Sequence, residues 1–226
     1  MSILGNIRKI IYRNNSVKNN LRKWSEWDWT QAGEEWSNNP QWKRSLVEHV
    51  LKPNMPHDGH ILEIGPGAGR WTEYLIDKAS TVSLVDLTPK CIDLCKKRFR
   101  NYTNIHYYVN DGTNLSFLPD GSIDFIWSWD VFVHIQSSDI RKYVREFARI
   151  LKPGATALIH HSKNGTTKVG WRSDMTAQRM IDFCSESNLS VSRQFDSWDG
   201  GRTQIWPDLN PGEGPDIISI LSRPNT

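Results

Sequence analysis

The chain has 226 residues, enough for one α/β domain with extensions and a sizeable core. Its net charge of +3 is too mild to indicate nucleic acid, and three cysteines are too few for a disulfide framework. No run of about 18 apolar residues offers a membrane span, and free thiols without a leader point to a reducing cytosol. Cys91 and Cys95, four apart, share a helix face and read as packing residues rather than metal ligands.

Residues 1–23 carry Arg8, Lys9, Arg13, Lys18, Arg22 and Lys23 and no acid. Ile3, Leu4, Ile7, Ile10 and Ile11 recur at helical spacing, and Asn14 to Asn20 read as a polar linker. The pattern fits a basic helix in weak peripheral contact with an anionic membrane face. It also fits an ordinary terminal helix packed on its own domain, or a loose arm. Residues 24–42 then hold Trp24, Trp27, Trp29, Trp36 and Trp42. Most are expected to be packing anchors; Trp36, beside Glu34 and Glu35, is also a candidate acceptor contact, because an indole face suits stacking on a sugar ring. Pro40 to Leu51 has a helical apolar face, ended by Lys52-Pro53.

Ile61 to Ile64 reads as a buried strand, followed by Gly65-Pro66-Gly67-Ala68-Gly69 as a tight turn and Trp71 to Lys78 as a helix. A strand, a glycine turn and a helix form the first half of a nucleotide-binding unit. Arg70 stands where the dinucleotide fingerprint wants its third glycine, and Pro66 removes an N–H that could meet a pyrophosphate. No Gly-Lys-Ser/Thr follows, so a P-loop is excluded, and a cofactor without phosphates fits better. The second strand, Thr81 to Val85, ends at Asp86. An acid about 20 residues beyond the loop can accept from both ribose hydroxyls. Thr88 is available to cap the next helix, Pro89 to Arg100, which leaves Asp86 free for a ligand.

Further strands are expected over Asn104–Val109, Ile123–Trp129, Ala155–His161, Leu189–Phe195 and Ile217–Leu221, with helices over Ser138–Leu151 and Ser173–Glu186. Strand four is apolar on both faces, as a central strand should be. The stretch from Ser197 to Gly214 is long and rich in glycine and proline, a natural lid.

Glu63-x-Gly65-x-Gly67-x-Gly69 resembles the first motif of the class I S-adenosylmethionine-dependent methyltransferases, and the resemblance covers roughly residues 58 to 162. It implies a Rossmann-like α/β fold with a seven-stranded, mostly parallel sheet, the last strand antiparallel and helices on both faces. It implies S-adenosylmethionine as cofactor, held by Glu63, Gly65, Gly67, Gly69, Asp86, Asp111, Gly112 and Trp129. In that family the acid after strand three accepts from the adenine amine; Asp111-Gly112 also fits a plain turn. Residues 1–57 then form a basic, tryptophan-rich extension over the site, and residues 58–226 the methyltransferase domain.

Methyl transfer needs the acceptor in line with the carbon–sulfur bond, and a hydroxyl acceptor needs a base. The candidates are His134, Asp130 and one of His160 and His161, which alternate faces. His134 has the most family-like position, and His161 is the preferred member of its pair. Asp130 with His161 is an alternative metal pair that lacks a convincing third carboxylate. Arg202, in the long loop, is a candidate contact for an acidic group of the acceptor. Gly33-Glu34-Glu35-Trp36-Ser37, Gly69-Arg70-Trp71-Thr72, Val131-Phe132-Val133-His134-Ile135 and Ile159-His160-His161-Ser162 are similar to methyltransferases linked with bacterial surface-polysaccharide biosynthesis.

The expected function is O-methylation of a glycan or other small hydroxyl-bearing acceptor. A non-catalytic cofactor-binding partner and a nicotinamide oxidoreductase are the alternatives. The Asn/Asp-Pro-Pro-Tyr/Phe motif of nucleic-acid amino methylation is missing after strand four, where Ser128-Trp129-Asp130-Val131 stands, so no nucleic-acid partner is expected.

Overall fold

A computed structural model describes residues 15–165 and 171–225. Its sheet has seven strands in the order β3-β2-β1-β4-β5-β9-β6. These are β1 His60–Ile64, β2 Thr81–Asp86, β3 Ile105–Val109, β4 Ile123–Ser128, β5 Leu151–Ser162, β6 Ser190–Phe195 and β9 Asp216–Ser222. β1 pairs in parallel with both β2 and β4, and β4 with β5. β9 runs antiparallel to both β5 and β6. The fifth strand starts four residues earlier than Ala155, because Leu151 already pairs with Ile123 and Lys152-Pro153-Gly154 forms a bulge before Thr156 pairs with Phe125. In the expected lid, β7 Ser197–Trp198 and β8 Thr203–Gln204 form a small hairpin.

The helices are α1 Val17–Glu26, α2 Pro40–Leu46, α3 Thr72–Ile76, α4 Pro89–Arg98, α5 Ser137–Ile150 and α6 Ala177–Glu186. α2 continues through a π turn, Val47–Leu51, and one more α turn, Lys52–Asn54, so it outruns Lys52-Pro53; the Asn54 amide caps the Val50 carbonyl at 2.7 Å. Thr88 caps α4 by accepting from the Cys91 N–H at 3.3 Å.

Two apolar layers cover the sheet, because successive strand residues face opposite sides. Ile61, Val82, Phe125 and Leu158 pack against α2, α3 and α4. Leu62, Val85, Ile126 and Ile159 pack against α5 and α6 through Val144, Phe147, Met180 and Cys184. β1, β2 and β4 are thereby covered on both faces, which explains their near-continuous apolar sequences, whereas the edge strand β3 leaves His106 and Val109 exposed.

The Asn-rich stretch expected as a linker is instead the start of α1. Ser16 caps it by accepting from the Asn19 N–H, and Asn20 is buried. The isoleucine-bearing segment before it, on which the membrane-contact expectation rests, lies outside the described residues. Among the described residues no helix is long and apolar enough to cross a membrane.

Candidate active site

Above the C-terminal ends of β1 to β5 lies a cavity of about 620 Å³. The glycine loop builds one end. Gly65 and Gly67 have φ of +70° and +59°, and a Cβ on either would run into Val131 or the Trp29 ring. Only glycine gives both the left-handed backbone and this close approach. Gly69 serves packing instead. A Cβ there would lie 2.5 Å from the Phe99 ring, so its absence lets the loop close on α4, and Gly69 does not line the cavity.

Asp86, at the end of β2, is 8 % exposed and faces the loop. Its Oδ1 accepts from the Thr88 N–H and hydroxyl at 2.8 and 2.9 Å, while its Oδ2 accepts only a long contact from the Gly67 N–H at 3.4 Å. Burial raises its pKa to about 6, against the hydrogen bonds from Thr88 and Gly67 that favour the carboxylate. Glu63 lies beneath the loop rather than on the cavity. It accepts from the Thr72 hydroxyl at 2.6 Å, and burial pushes it up to about 7. Its role is to tie β1 to α3.

Asn110 and Gly112 line the cavity, but Asp111 does not. The Asp111 carboxylate is exposed and is consumed by a local turn, accepting from the Thr113 and Asn114 N–H groups at 2.9 and 2.8 Å. The expected adenine contact through that side chain is therefore corrected. Val17 of α1 packs over Gly112 and closes this end.

Tryptophans wall the cavity from the glycine loop, where Trp29 lies against Gly67, outward. Trp24 sits at the centre, with the rings of Trp27, Trp29, Trp36, Trp171 and His134 between 5.4 and 6.1 Å from its own. Trp36 thus lies on the cavity, as its candidacy required; Trp42 also borders it but is largely buried in the core against Trp129 and Trp198. Trp129 is 3 % exposed and stacks on His160 at 4.4 Å.

Below this wall runs a chain of alternating charges. Arg70 donates to Asp130 at 2.5 Å, and Asp130 lies 3.2 Å from His160 Nδ1. His160 Nε2 lies 3.6 Å from Asp216, which Arg172 grips at 2.9 Å and to which Trp206 donates at 2.9 Å. Burial opposes charge on His160, yet the two flanking carboxylates raise its pKa. Burial likewise works against the Asp130 carboxylate, but Arg70 and His160 hold it well below the usual carboxylate range. Asp130, with Oδ2 held by Arg70, its own N–H donated to His160 Nδ1 at 3.2 Å and φ +60°, is an ion-pair anchor and not the free base expected.

His161 is also corrected. It is fully buried on the far side of the strand, with Nδ1 2.8 Å from the Ser162 carbonyl and Nε2 2.7 Å from the Ser219 hydroxyl. The cavity-side histidine is His160, and Asp130 and His161 do not converge as a metal pair. Arg202 lies in a separate groove with Glu48, His49 and Asp199; from the expected lid, Ile205 and Trp206 reach the main cavity instead.

His134, in a 3₁₀ turn after β4, does line the cavity. Its Nδ1 lies 3.0 Å from the Trp171 carbonyl, which can only accept, so Nδ1 carries the proton and Nε2 the lone pair. Burial and then the Arg172 charge lower its pKa to about 4, well below that of an ordinary imidazole. The His134 carbonyl accepts from Asn20 Nδ2 at 2.8 Å, a contact across 114 residues that pins α1 to this turn. Arg70, Asn20, Trp171, Trp206 and Asp216 were not singled out from sequence as site residues. They meet only through tertiary contacts, although an arginine in place of the third fingerprint glycine was a visible signal.

A mixed sheet with one antiparallel strand, and a glycine loop facing an acid at the end of β2, define the Rossmann-like architecture of the class I S-adenosylmethionine-dependent methyltransferases. Residues 61–154 match the family described as "Methyltransferase domain". A demethylmenaquinone methyltransferase of Tropheryma whipplei is 29% identical over 99 residues, 44% of this chain and 40% of that one. Phosphoethanolamine N-methyltransferase 1 of Arabidopsis thaliana is 32% identical over 114 residues, 50% of this chain and 23% of that one. The chain thus spans at most about two fifths of these curated relatives. Among solved structures, the N-methyltransferase NodS of Bradyrhizobium japonicum WM9 in complex with S-adenosyl-L-homocysteine superposes with a TM-score of 0.64 at 15% identity, covering 93% of this chain and 100% of that one. A SAM-dependent methyltransferase of Aquifex aeolicus gives 0.60 at 18%, covering 87% and 99%. At such identities the likeness is one of fold.

The residues present fit S-adenosylmethionine. Gly65 and Gly67 line the cavity with left-handed backbone that leaves no side chain over it, and Asp86 has an under-used oxygen for a diol. Asn15 and Asn20, both lining the cavity, keep buried side-chain oxygens without a donor, as the amino group of the cofactor would require.

Proposed function

We propose that the protein transfers the methyl group of S-adenosylmethionine to a hydroxyl of a small polar acceptor of sugar type. The observation that carries this reading is the position of His134. Its Nε2 lone pair is set by the Trp171 carbonyl on Nδ1, and its ring lies on the same cavity as the glycine loop and the tryptophan wall. The bound cofactor supplies an electrophilic methyl on a sulfonium, with its own leaving group. Asp86, Gly65 and Gly67 position it, and the tryptophan wall stacks on the acceptor ring and excludes water. His134 takes the hydroxyl proton at Nε2 as the oxygen attacks. With a pKa of about 4 it stays neutral at physiological pH; it is a weak base, suited to accepting the proton as the carbon–oxygen bond forms rather than beforehand.

Asp130 and His160 act in this reading by fixing the wall. Trp129 stacks on His160 and turns its face toward the cavity. The similarity of residues 33–37 and 159–162 to methyltransferases linked with polysaccharide biosynthesis supports a sugar acceptor. The test is turnover of labelled S-adenosylmethionine against a panel of hydroxyl-bearing sugars and, as a contrast, primary amines. Methylation of amines alone would overturn the hydroxyl reading, and failure to bind S-adenosylhomocysteine would overturn the cofactor reading.

A further inference from the structure

Two cations on the acceptor side of the cavity are left with bonding capacity that the protein does not use. Arg70 is 4 % exposed. Its Nη2 is committed to Asp130, but its Nη1 is buried without a hydrogen-bond partner. Its guanidinium lies 4.7 Å from the Trp71 ring and 5.9 Å from that of Trp36. Lys23, on α1, places its ammonium 3.8 Å over Trp171 and 5.7 Å from Trp27, and no carboxylate pairs with it among the described residues. Trp27 and Trp36 lie 5.2 Å apart, so the two cations bracket one continuous run of rings.

A buried guanidinium N–H without an acceptor is costly, and a native protein retains one where a ligand supplies the missing oxygen. A planar guanidinium suits a carboxylate, and an ammonium resting on an indole face is a mobile point charge that can follow it. The carboxylates nearby do not answer this need. Asp130 already holds Arg70, Asp216 is gripped by Arg172, and Glu35 accepts from Trp27 Nε1 at 3.0 Å.

We propose that the acceptor is an acidic one, a sugar acid whose carboxylate seats between Lys23 and Arg70 over the tryptophan run. This deepens the sugar-hydroxyl reading and rests on it. The same carboxylate chemistry has a second source, the amino-acid end of the cofactor, and the arms of the test separate the two.

The full chain is loaded with S-adenosylhomocysteine and titrated with D-glucuronate and with D-glucose, followed by tryptophan fluorescence. Glucuronate is expected to bind about tenfold or more tighter than glucose, with the difference shrinking as salt is raised. Lys23→Gln and Arg70→Lys should each remove about tenfold of that preference, while S-adenosylhomocysteine affinity measured by calorimetry stays within about twofold. Arg70→Lys keeps a cation beside Asp130, so the fold is spared while the free Nη1 is lost; its melting temperature is recorded alongside. Equal binding of glucose and glucuronate, no saturable response to glucuronate, or Lys23→Gln leaving the preference intact overturns the proposal. It also fails if Arg70→Lys weakens S-adenosylhomocysteine but not 5′-methylthioadenosine, which lacks the amino-acid end, since the guanidinium then serves the cofactor. Loss of S-adenosylhomocysteine binding by the unsubstituted chain would instead count against the methyltransferase reading itself.

Discussion

Arg70 follows the last glycine of the loop, and Asp130 follows β4 by two residues; their 2.5 Å ion pair joins the cofactor end of the cavity to the acceptor wall. Arg70 is almost completely buried and Asp130 holds its left-handed backbone to make the contact. A buried pair of this kind adds little net stability, but removing one partner strands the other. Asp130→Asn keeps the shape and the tolerance for positive φ while deleting the charge. It should lower unfolding stability by about 3–5 kcal/mol in urea titrations, and a loss under about 1 kcal/mol would mean that Arg70 relaxes to water.

His134→Gln retains a polar side chain of similar size without a basic nitrogen. It should cut kcat by about 10²–10⁴-fold and leave S-adenosylhomocysteine affinity near that of the unsubstituted protein. The base must be unprotonated to act, and burial together with Arg172 holds its pKa down at about 4. At saturating cofactor the unsubstituted protein should therefore keep its kcat from neutral pH down to about 5 and lose it as Nε2 protonates near 4. An acid limb centred near 6.5 would assign the base to another group.

Gly69→Ala tests the division of labour in the loop. The added methyl meets Phe99 and the residue must hold φ +89°, so the substitution should cost about 1–3 kcal/mol and several degrees of melting temperature. Cofactor affinity measured below the transition should change little, because Gly69 does not line the cavity. A selective loss of S-adenosylhomocysteine binding would return Gly69 to the cofactor.

The strands that hold the site were legible because each is an apolar run bounded by a turn, and Asp86 was legible because it ends one of them. The site's second half was not. Periodicity showed that one of His160 and His161 faces the cavity, but choosing between them requires the register of β5 on β4. Trp127 pairs with Leu158 there, which sets Trp129 over His160 and turns His161 away. The ion pair of Arg70 with Asp130 spans 60 residues and leaves no local trace. α1 was misread because Asn19 and Asn20 suggest a linker, although Ser16 is a ready N-cap; Asn20 is in fact buried against His134. The turn at Asp111 shows the converse, a motif position matched in sequence whose side chain is spent on its own backbone.

Asp86 also links cofactor binding to pH. Burial raises its carboxyl to about 6, with one oxygen satisfied by Thr88 and the other only weakly by Gly67. The two hydroxyls of a ribose would donate to the ionised form, so binding favours the carboxylate and lowers its pKa in the complex. Affinity for S-adenosylhomocysteine should then be level above about pH 7 and weaken as pH falls through 6, approaching a tenfold loss per pH unit well below it. The cofactor's own α-carboxyl and α-amino groups titrate outside that window. Glu63, at about 7, does not line the cavity and is held by Thr72, so its proton is expected to be indifferent to the ligand. Asp86→Asn supplies the control. It should weaken binding at neutral pH by about 10–150-fold, the worth of a charge-assisted hydrogen bond, and flatten the dependence between pH 5 and about 7. Calorimetry across that range decides the matter: a slope that survives in Asp86→Asn would move the titrating group elsewhere, and Glu63→Gln would be the next variant measured.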